Sequence, residues 1–158
     1  MKFKEFEEGK LVEQDIKKYL KNVTTSTKEQ DIHEHWDLKG DLENLTQIKI
    51  DVKSVKKDNR YDILPNENHH WVELKNVNGK LGWLFGLADY IAFETLDYFI
   101  LVERTKLVDF MRVKCDGKEV GNRKDLYEKY RREGRKDVVV KVKTIDLMAI
   151  MDKLIKKI

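Results

Sequence analysis

The chain has 158 residues, of which 41% are hydrophobic and 39% charged, and this predicts one globular domain over residues 1–158. The 32 Lys and Arg and 29 Asp and Glu leave a net charge of only +3, so charge alone does not identify a nucleic-acid partner. The single cysteine, Cys115, excludes an intrachain disulfide and a cysteine-based zinc finger. There is no apolar run of membrane-spanning length and no apolar signal region, so we expect a cytoplasmic protein with no membrane partner.

The first third of the chain is predicted to form a helix and a β-hairpin. Apolar residues fall on one helical face over residues 9–22. Strands are predicted over residues 31–38 and 47–55, and the turn-rich segment 40–44 between them indicates a hairpin.

The second of these strands has one apolar face and one charged face. Its side chains alternate, so the two sets point to opposite sides of the sheet. The apolar set is Ile48, Ile50 and Val52, and the charged set is Lys49, Asp51 and Lys53.

The rest of the chain is predicted to mix strands and helices. An apolar segment with two glycines, residues 82–87, is typical of a tight turn or short helix packed on the sheet. The other predicted elements are strands at 70–75, 88–94, 98–103 and 138–142 and helices at 105–113, 124–133 and 145–158. This order favours an α/β or α+β fold.

An acidic residue, a spacer and a lysine occur together six times, so one such triplet by itself indicates only a solvated charged face. The triplet Asp51-Val52-Lys53 differs from the others in its context. It ends an alternating strand, and the predicted hairpin brings Asp37 close to it. Glu13 lies on the predicted helix that must pack on this sheet. Carboxylates and a lysine at one sheet edge suit a divalent cation and an attacking water.

This arrangement resembles the PD-(D/E)XK nuclease superfamily, the restriction-endonuclease-like fold. Gly9-Lys10-Leu11-Val12-Glu13 matches the Gly-x-x-x-Glu of its first helix, and Asp37 with Asp51-Val52-Lys53 matches its hairpin motif. The resemblance covers about residues 9–103. Two departures are the lack of a proline before Asp37 and an aspartate where glutamate is commoner. The resemblance implies an αβββαβ core, a central mixed sheet flanked by helices.

The resemblance also implies an endonuclease that hydrolyses DNA phosphodiester bonds with Mg²⁺ or Mn²⁺. Asp37, Asp51 and the Val52 carbonyl would hold the metal, and Lys53 would position the attacking water or stabilise developing charge. Glu13 would bind metal through water or orient a second ion. The compact size favours structure-selective or resolvase-like cleavage, and such enzymes commonly act as homodimers because two strands need two sites.

Other residues give alternative or additional sites. Glu73-Leu74-Lys75 is a rival motif, with Asp51 then serving as the first acid. In an alternative interpretation, this motif is not catalytic. The strand that carries it would lie beside the second hairpin strand, and Lys75 and Asn76 would contact phosphate near the metal. Arg131 and Arg132 belong to a basic region that is either a DNA-backbone contact or a solvated helix. Its other members are Arg123, Lys124, Arg135 and Lys136.

Two other functions remain open from the sequence. His33, His35 and Asp37 would share one face of the predicted strand, at a spacing typical of zinc ligands in metal hydrolases. Alternatively, the chain is a non-catalytic nucleic-acid-binding module on the same fold.

Overall fold

The computed structural model describes residues 11–57, 61–121 and 125–158. Over these residues the chain forms four α-helices, eight β-strands and one 3₁₀ turn. In chain order they are α1 (residues 11–17), β1 (Lys21–Thr25), α2 (Lys28–Glu34), β2 (Leu38–Leu42), β3 (Leu45–Lys53), β4 (His69–Lys75), the 3₁₀ turn (Trp83–Phe85), β5 (Tyr90–Glu94), β6 (Tyr98–Glu103), α3 (Arg104–Lys114), β7 (Val138–Lys143), α4 (Thr144–Ile150) and β8 (Lys153–Lys156).

A mixed six-stranded sheet organises the fold, in the order β1-β2-β3-β5-β6-β8. The central pair, β3 and β5, runs parallel, and every other neighbouring pair in this sheet is antiparallel. The strands β4 and β7 form a second, antiparallel sheet. The protein is therefore a mixed α+β fold.

Hydrophobic cores cover both faces of the large sheet. The side chains of β6 alternate between the two faces of the sheet. Phe99 and Leu101 lie in one core, and Ile100 and Val102 lie in the other. The first core includes Ile16 of α1, and the second includes residues of α3, β4 and β7. Burial of one such side chain is worth ~1.5–3 kcal/mol, so each face contributes substantially to holding the layers together.

The predicted hairpin is present as β2 and β3, with the turn at Glu43 and Asn44. Glu43 adopts a positive φ of 52°, which closes this short connection. The predicted alternation of β3 is also confirmed, since Ile48, Ile50 and Val52 are all buried in the core that contains α1.

Residues 31–38 do not form the predicted strand. Residues 31–34 end helix α2, residues 35–37 form a connection, and Leu38 begins β2. Helix α2 begins with a capping box: the Thr27 hydroxyl accepts from the Gln30 N–H at 3.1 Å, and the Gln30 side-chain oxygen accepts from the Thr27 N–H at 2.9 Å. His35 then ends the helix in the left-handed conformation at φ 57°. The Thr-x-x-Gln signature for this start was in the sequence.

Three other predicted elements differ from the structure. The first helix ends at residue 17, and a turn leads into β1. Residues 125–133 form no helix; Tyr130 instead pairs with Val139 through two backbone hydrogen bonds. The last predicted helix stops at Ile150, because β8 pairs with β6 and buries Ile155 in the core.

The predictions for residues 70–75, 88–94, 98–103, 105–113 and 138–142 are confirmed as β4, β5, β6, α3 and β7. The position expected for β4 is wrong: it pairs with β7, and the second hairpin strand, β3, has β5 as its other neighbour. None of the helices in the described part of the chain is long and apolar enough to cross a membrane.

Candidate active site

Asp37 lies where the chain enters β2, next to the end of β3. Its N–H donates to the Ile50 carbonyl at 2.9 Å, and its Oδ2 accepts from the Val52 N–H at 2.7 Å. Asp37 is therefore bonded to the residues on both sides of Asp51. The N–H and C=O of one strand residue point to the same edge, so the Val52 carbonyl also faces the side on which Asp37 lies.

Asp51 is a buried carboxylate on the face of β3 opposite α1. Its side chain is only 5% exposed, and Oδ1 lies 3.1 Å from Lys53 Nζ. No amide, ammonium or hydroxyl group of the described residues donates to its buried Oδ2. The Asp37 carboxyl is close enough to share a hydrogen bond with Asp51 when it carries a proton. When both carboxyl groups are ionised that bond is lost, and a buried carboxylate oxygen is then costly unless another group binds it.

Glu13 reaches the same site from α1. With Asp37, Asp51, Val52 and Lys53 it lines a cavity of about 330 Å³. The carboxyl groups of Glu13 and Asp37 are close enough to share a hydrogen bond. The structure thus brings the four predicted catalytic residues together. Gly9, the other half of the predicted first-helix motif, lies outside the described residues.

The three carboxyl groups repel one another in a poorly solvated site. Burial, then the charges of Asp37 and Asp31, raises the pKa of Glu13 to about 7. Burial, then the charge of Asp51, raises the pKa of Asp37 to about 8. Burial also raises the pKa of Asp51, although Lys53 opposes the shift. A site that raises three carboxyl pKa values is one that a cation would stabilise.

Lys53 is held against this cluster as a cation. Burial by itself lowers its pKa, but Asp51 and Asp37 outweigh that effect and leave the pKa above its usual value. Its Nζ also lies 4.7 Å from the ring centroid of Trp83, a buried residue of the 3₁₀ turn. The carboxylates and the ring together fix the direction of the ammonium group.

Glu73 of β4 adds a further carboxylate to the cavity wall, which Asp31 of α2 also lines. Burial raises its pKa, and the charge of Lys53 lowers it. Gly82 allows this approach, because a Cβ there would lie 2.5 Å from the Glu73 carbonyl oxygen and 2.8 Å from its Cγ. The rival motif is incomplete here: Lys75 is exposed, 3.8 Å from Glu119, and is not among the residues lining the cavity. Glu73 and Lys53 therefore belong to one site that the sequence presented as two competing motifs.

His35 also lines the carboxylate cavity, although α2 rather than a strand positions it. The 3₁₀ turn packs closely on this corner, since a Cβ on Gly86 would lie 2.7 Å from the His35 Cβ. The predicted zinc geometry is wrong, because His33 is in the last turn of α2 and His35 in its left-handed cap. The two histidines and Asp37 do not share a strand face.

The remaining predicted contact residues are not among those that line the carboxylate cavity. The Asn76 side-chain oxygen accepts from the Asn78 and Lys80 N–H groups, which makes Asn76 a turn residue. Arg131 is paired with Glu119 at 2.8 Å. Arg132 is exposed in the irregular segment before β7, and Arg123 and Lys124 of the same basic region lie outside the described residues.

The donor set at this site suits a hard divalent cation. Glu13, Asp37, Asp51 and the Val52 carbonyl offer only oxygen atoms, which are the ligands that Mg²⁺ and Mn²⁺ prefer. Asp51 Oδ2 is already desolvated, and in the described part of the chain no amide, ammonium or hydroxyl group donates to it. Within residues 11–57, 61–121 and 125–158, no three acidic, histidine or cysteine side chains form a preassembled metal cluster.

No protein-family model, no curated protein and no solved structure matches this chain.

Proposed function

We propose that the protein is a divalent-metal-dependent endonuclease that hydrolyses DNA phosphodiester bonds at the Glu13–Asp37–Asp51–Lys53 site. The observation that carries the proposal is the desolvated Asp51 carboxylate, to whose Oδ2 no described amide, ammonium or hydroxyl group donates, and which lies beside Lys53 and two further carboxyl groups. A structural ion pair would not need the extra carboxylates, because each raises the cost of burying the others.

Each residue has a separate task in this proposal. Asp37, Asp51 and the Val52 carbonyl hold Mg²⁺ or Mn²⁺, which when bound supplies Lewis-acid stabilisation of the phosphate and a more acidic water. Lys53, kept protonated by its carboxylate neighbours, orients the attacking water and donates to a phosphate oxygen as negative charge develops. Glu13 would bind the metal ion through a water molecule or orient a second ion. The charge of Glu73 helps to keep Lys53 protonated.

The chain connectivity supports assignment to the PD-(D/E)XK superfamily and its restriction-endonuclease-like fold. Helix α1, the β2–β3 hairpin and the parallel neighbour β5 correspond to the part of the αβββαβ core that carries the motif residues. The chain has further strands around that core, including β1 and the β4–β7 sheet. On this assignment we also propose a homodimer that cuts both strands of structured or branched DNA, in the cytoplasm.

The test is a cleavage assay on supercoiled plasmid, linear duplex and branched DNA, with Mg²⁺, Mn²⁺ or EDTA. We expect metal-dependent cleavage that falls by about 10²-fold or more in Asp51→Asn and in Lys53→Met. The matched control is Asp41→Asn, because Asp41 lies on the same hairpin but does not line the carboxylate cavity and instead accepts hydrogen bonds from Asn22 and Gln47.

Two outcomes would contradict the proposal. Cleavage that survives Asp51→Asn would mean that another site or a contaminant is responsible. Metal-independent DNA binding with no cleavage of any substrate would instead identify a non-catalytic nucleic-acid-binding module.

A further inference from the structure

A second cavity opens beside the carboxylate site. It has a volume of about 240 Å³ and shares one wall with that site. The shared residues are Lys53, Ser54, Lys56, Glu73 and Trp83. Whatever occupies the second cavity therefore lies against the same lysine that would contact the phosphate.

The far wall of this cavity is aromatic and carries an unused hydrogen-bonding group. It is lined by His69, His70, Trp71 and Val139. His70 is only 4% exposed, and its ring packs on Phe93 at 5.1 Å between centroids. Its buried Nε2 has no hydrogen-bond partner within the described ranges. Burial of a polar ring atom without a partner disfavours folding, so a bound group that reached Nε2 from the adjoining cavity would remove that cost.

A flat, neutral heterocycle joined to a phosphate fits the chemistry of the cavity, because Lys53 and Lys56 line the wall shared with the carboxylate site and a neutral histidine lines the far wall. Burial, and then the nearby His69, lowers the pKa of His70 to about 4, so the imidazole is uncharged at neutral pH and does not attract phosphate. Trp71 and Trp83 supply ring surfaces, and Glu73 supplies a hydrogen-bond acceptor. The volume lies below the ~300–1,000 Å³ of pockets for drug-sized ligands, which suits one base better than a larger group.

We propose that this cavity receives one unstacked nucleobase of the DNA strand being cut, next to the phosphate held at the carboxylates. The inference rests on the proposed function and identifies its substrate as DNA in which a nucleotide can leave the stack. Branch points, flaps, mismatches and single strands release a base at lower cost than intact duplex.

The experiment scans one abasic nucleotide along a flap oligonucleotide, position by position around the cut, and measures kcat/KM for each substrate. For the wild type we expect a single position at which loss of the base lowers kcat/KM about fivefold or more, the effect of losing one base–aromatic stack. Val139→Phe fills the cavity from β7, away from the carboxylates. This variant should lose a similar factor on the intact flap and become insensitive to the abasic nucleotide.

His70→Phe keeps the ring packed on Phe93 but removes Nε2. This variant should keep the position dependence and lose discrimination among the four bases at that position. A melting measurement confirms that both variants fold. Uniform kcat/KM across all abasic positions in the wild type, or full activity of Val139→Phe on the intact flap, would overturn the proposal.

The same oligonucleotides in Ca²⁺ or EDTA separate this inference from the proposed function. Fluorescence anisotropy should show weaker binding at one abasic position in the wild type but not in Val139→Phe. If that pattern appears without cleavage in any metal, the endonuclease proposal fails and the base pocket remains. If binding does not depend on any base, the base pocket is refuted even where cleavage occurs.

Discussion

Replacing Asp37 by asparagine should stabilise the metal-free protein while weakening metal binding. Asparagine keeps an oxygen that can accept from the Val52 N–H, and it removes a carboxyl group whose ionised form is disfavoured by burial and by the charge of Asp51. The pKa of Asp37 rises from 3.8 to about 8 on folding, so at pH 7 the folded protein holds a proton that the unfolded chain releases. This group therefore costs stability at every pH above its unfolded value.

The magnitude follows from that shift. At pH 7 the unfolded pKa lies about three units below the ambient pH, and one unit is worth ~1.4 kcal/mol, which sets an upper limit of ~4 kcal/mol. The cost is shared with Glu13 and Asp51, and Asp37 is partly solvated, so we expect a gain of ~1–3 kcal/mol. For a chain of this size each 1 kcal/mol shifts Tm by ~2–4 °C.

The assay is thermal unfolding of wild type and Asp37→Asn at pH 7, in EDTA and in excess Mg²⁺. The variant should melt higher in EDTA, and only the wild type should gain markedly from Mg²⁺, by ~2.7 kcal/mol when the ion is at a hundred times its Kd. Asp41→Asn is the control of opposite sign. Hydrogen bonds from Asn22 and Gln47 lower the Asp41 pKa, so its charge stabilises the fold and its loss should not raise Tm. The reasoning is refuted if Asp37→Asn lowers Tm in EDTA.

Three further predictions concern packing, pH and helix capping. Gly82→Ala should lower the free energy of unfolding by ~1–3 kcal/mol and reduce cleavage, because the added Cβ would overlap Glu73. In the control variant Gly117→Ala, the added Cβ meets no described atom within 4 Å, so urea unfolding should show no change in stability. The pKa of His70 is about 4 in the folded protein, so its contribution to the free energy of unfolding is intact above pH 6.5 and declines as the pH falls toward 4. The free energy of unfolding of His70→Phe, relative to that of the wild type, should therefore rise by ~3 kcal/mol between pH 6.5 and pH 4. A difference that does not change with pH would contradict the burial of a neutral imidazole. Thr27→Ala should lower stability by ~1 kcal/mol through loss of the α2 cap while Thr27→Ser does not, and equal melting of the two would exclude the capping role.

The candidate site was predictable from the sequence where local patterns determine position. The alternation in β3 places Asp51 and Lys53 on one face, and the hairpin turn brings Asp37 back to them. Both features depend on neighbouring residues and on a period of two, which a single sequence displays directly.

The contribution of Glu73 could not be read in the same way. The position of Glu73 depends on the pairing of β4 with β7 outside the large sheet. It also depends on Gly82, whose missing side chain lets the 3₁₀ turn lie against Glu73. The last helix was mispredicted for a related reason, because residues 153–156 gain more from pairing with β6 than from continuing a helix. Long-range strand pairing overrides local propensity, and one sequence does not show it.

The parallel pairing of β3 with β5 has a consequence for the order in which the candidate site can assemble. Antiparallel neighbours can pair from a short turn, but this pair forms only after the chain between residues 53 and 90 has looped back, and that loop includes β4 and the 3₁₀ turn. Closing such a loop costs entropy before any contact repays it. The β2–β3 hairpin can therefore form, with Asp37 and Asp51 already adjacent, before Trp83 and Glu73 reach them. We expect a refolding chain to gain secondary structure before Lys53 is held between Asp51 and Trp83.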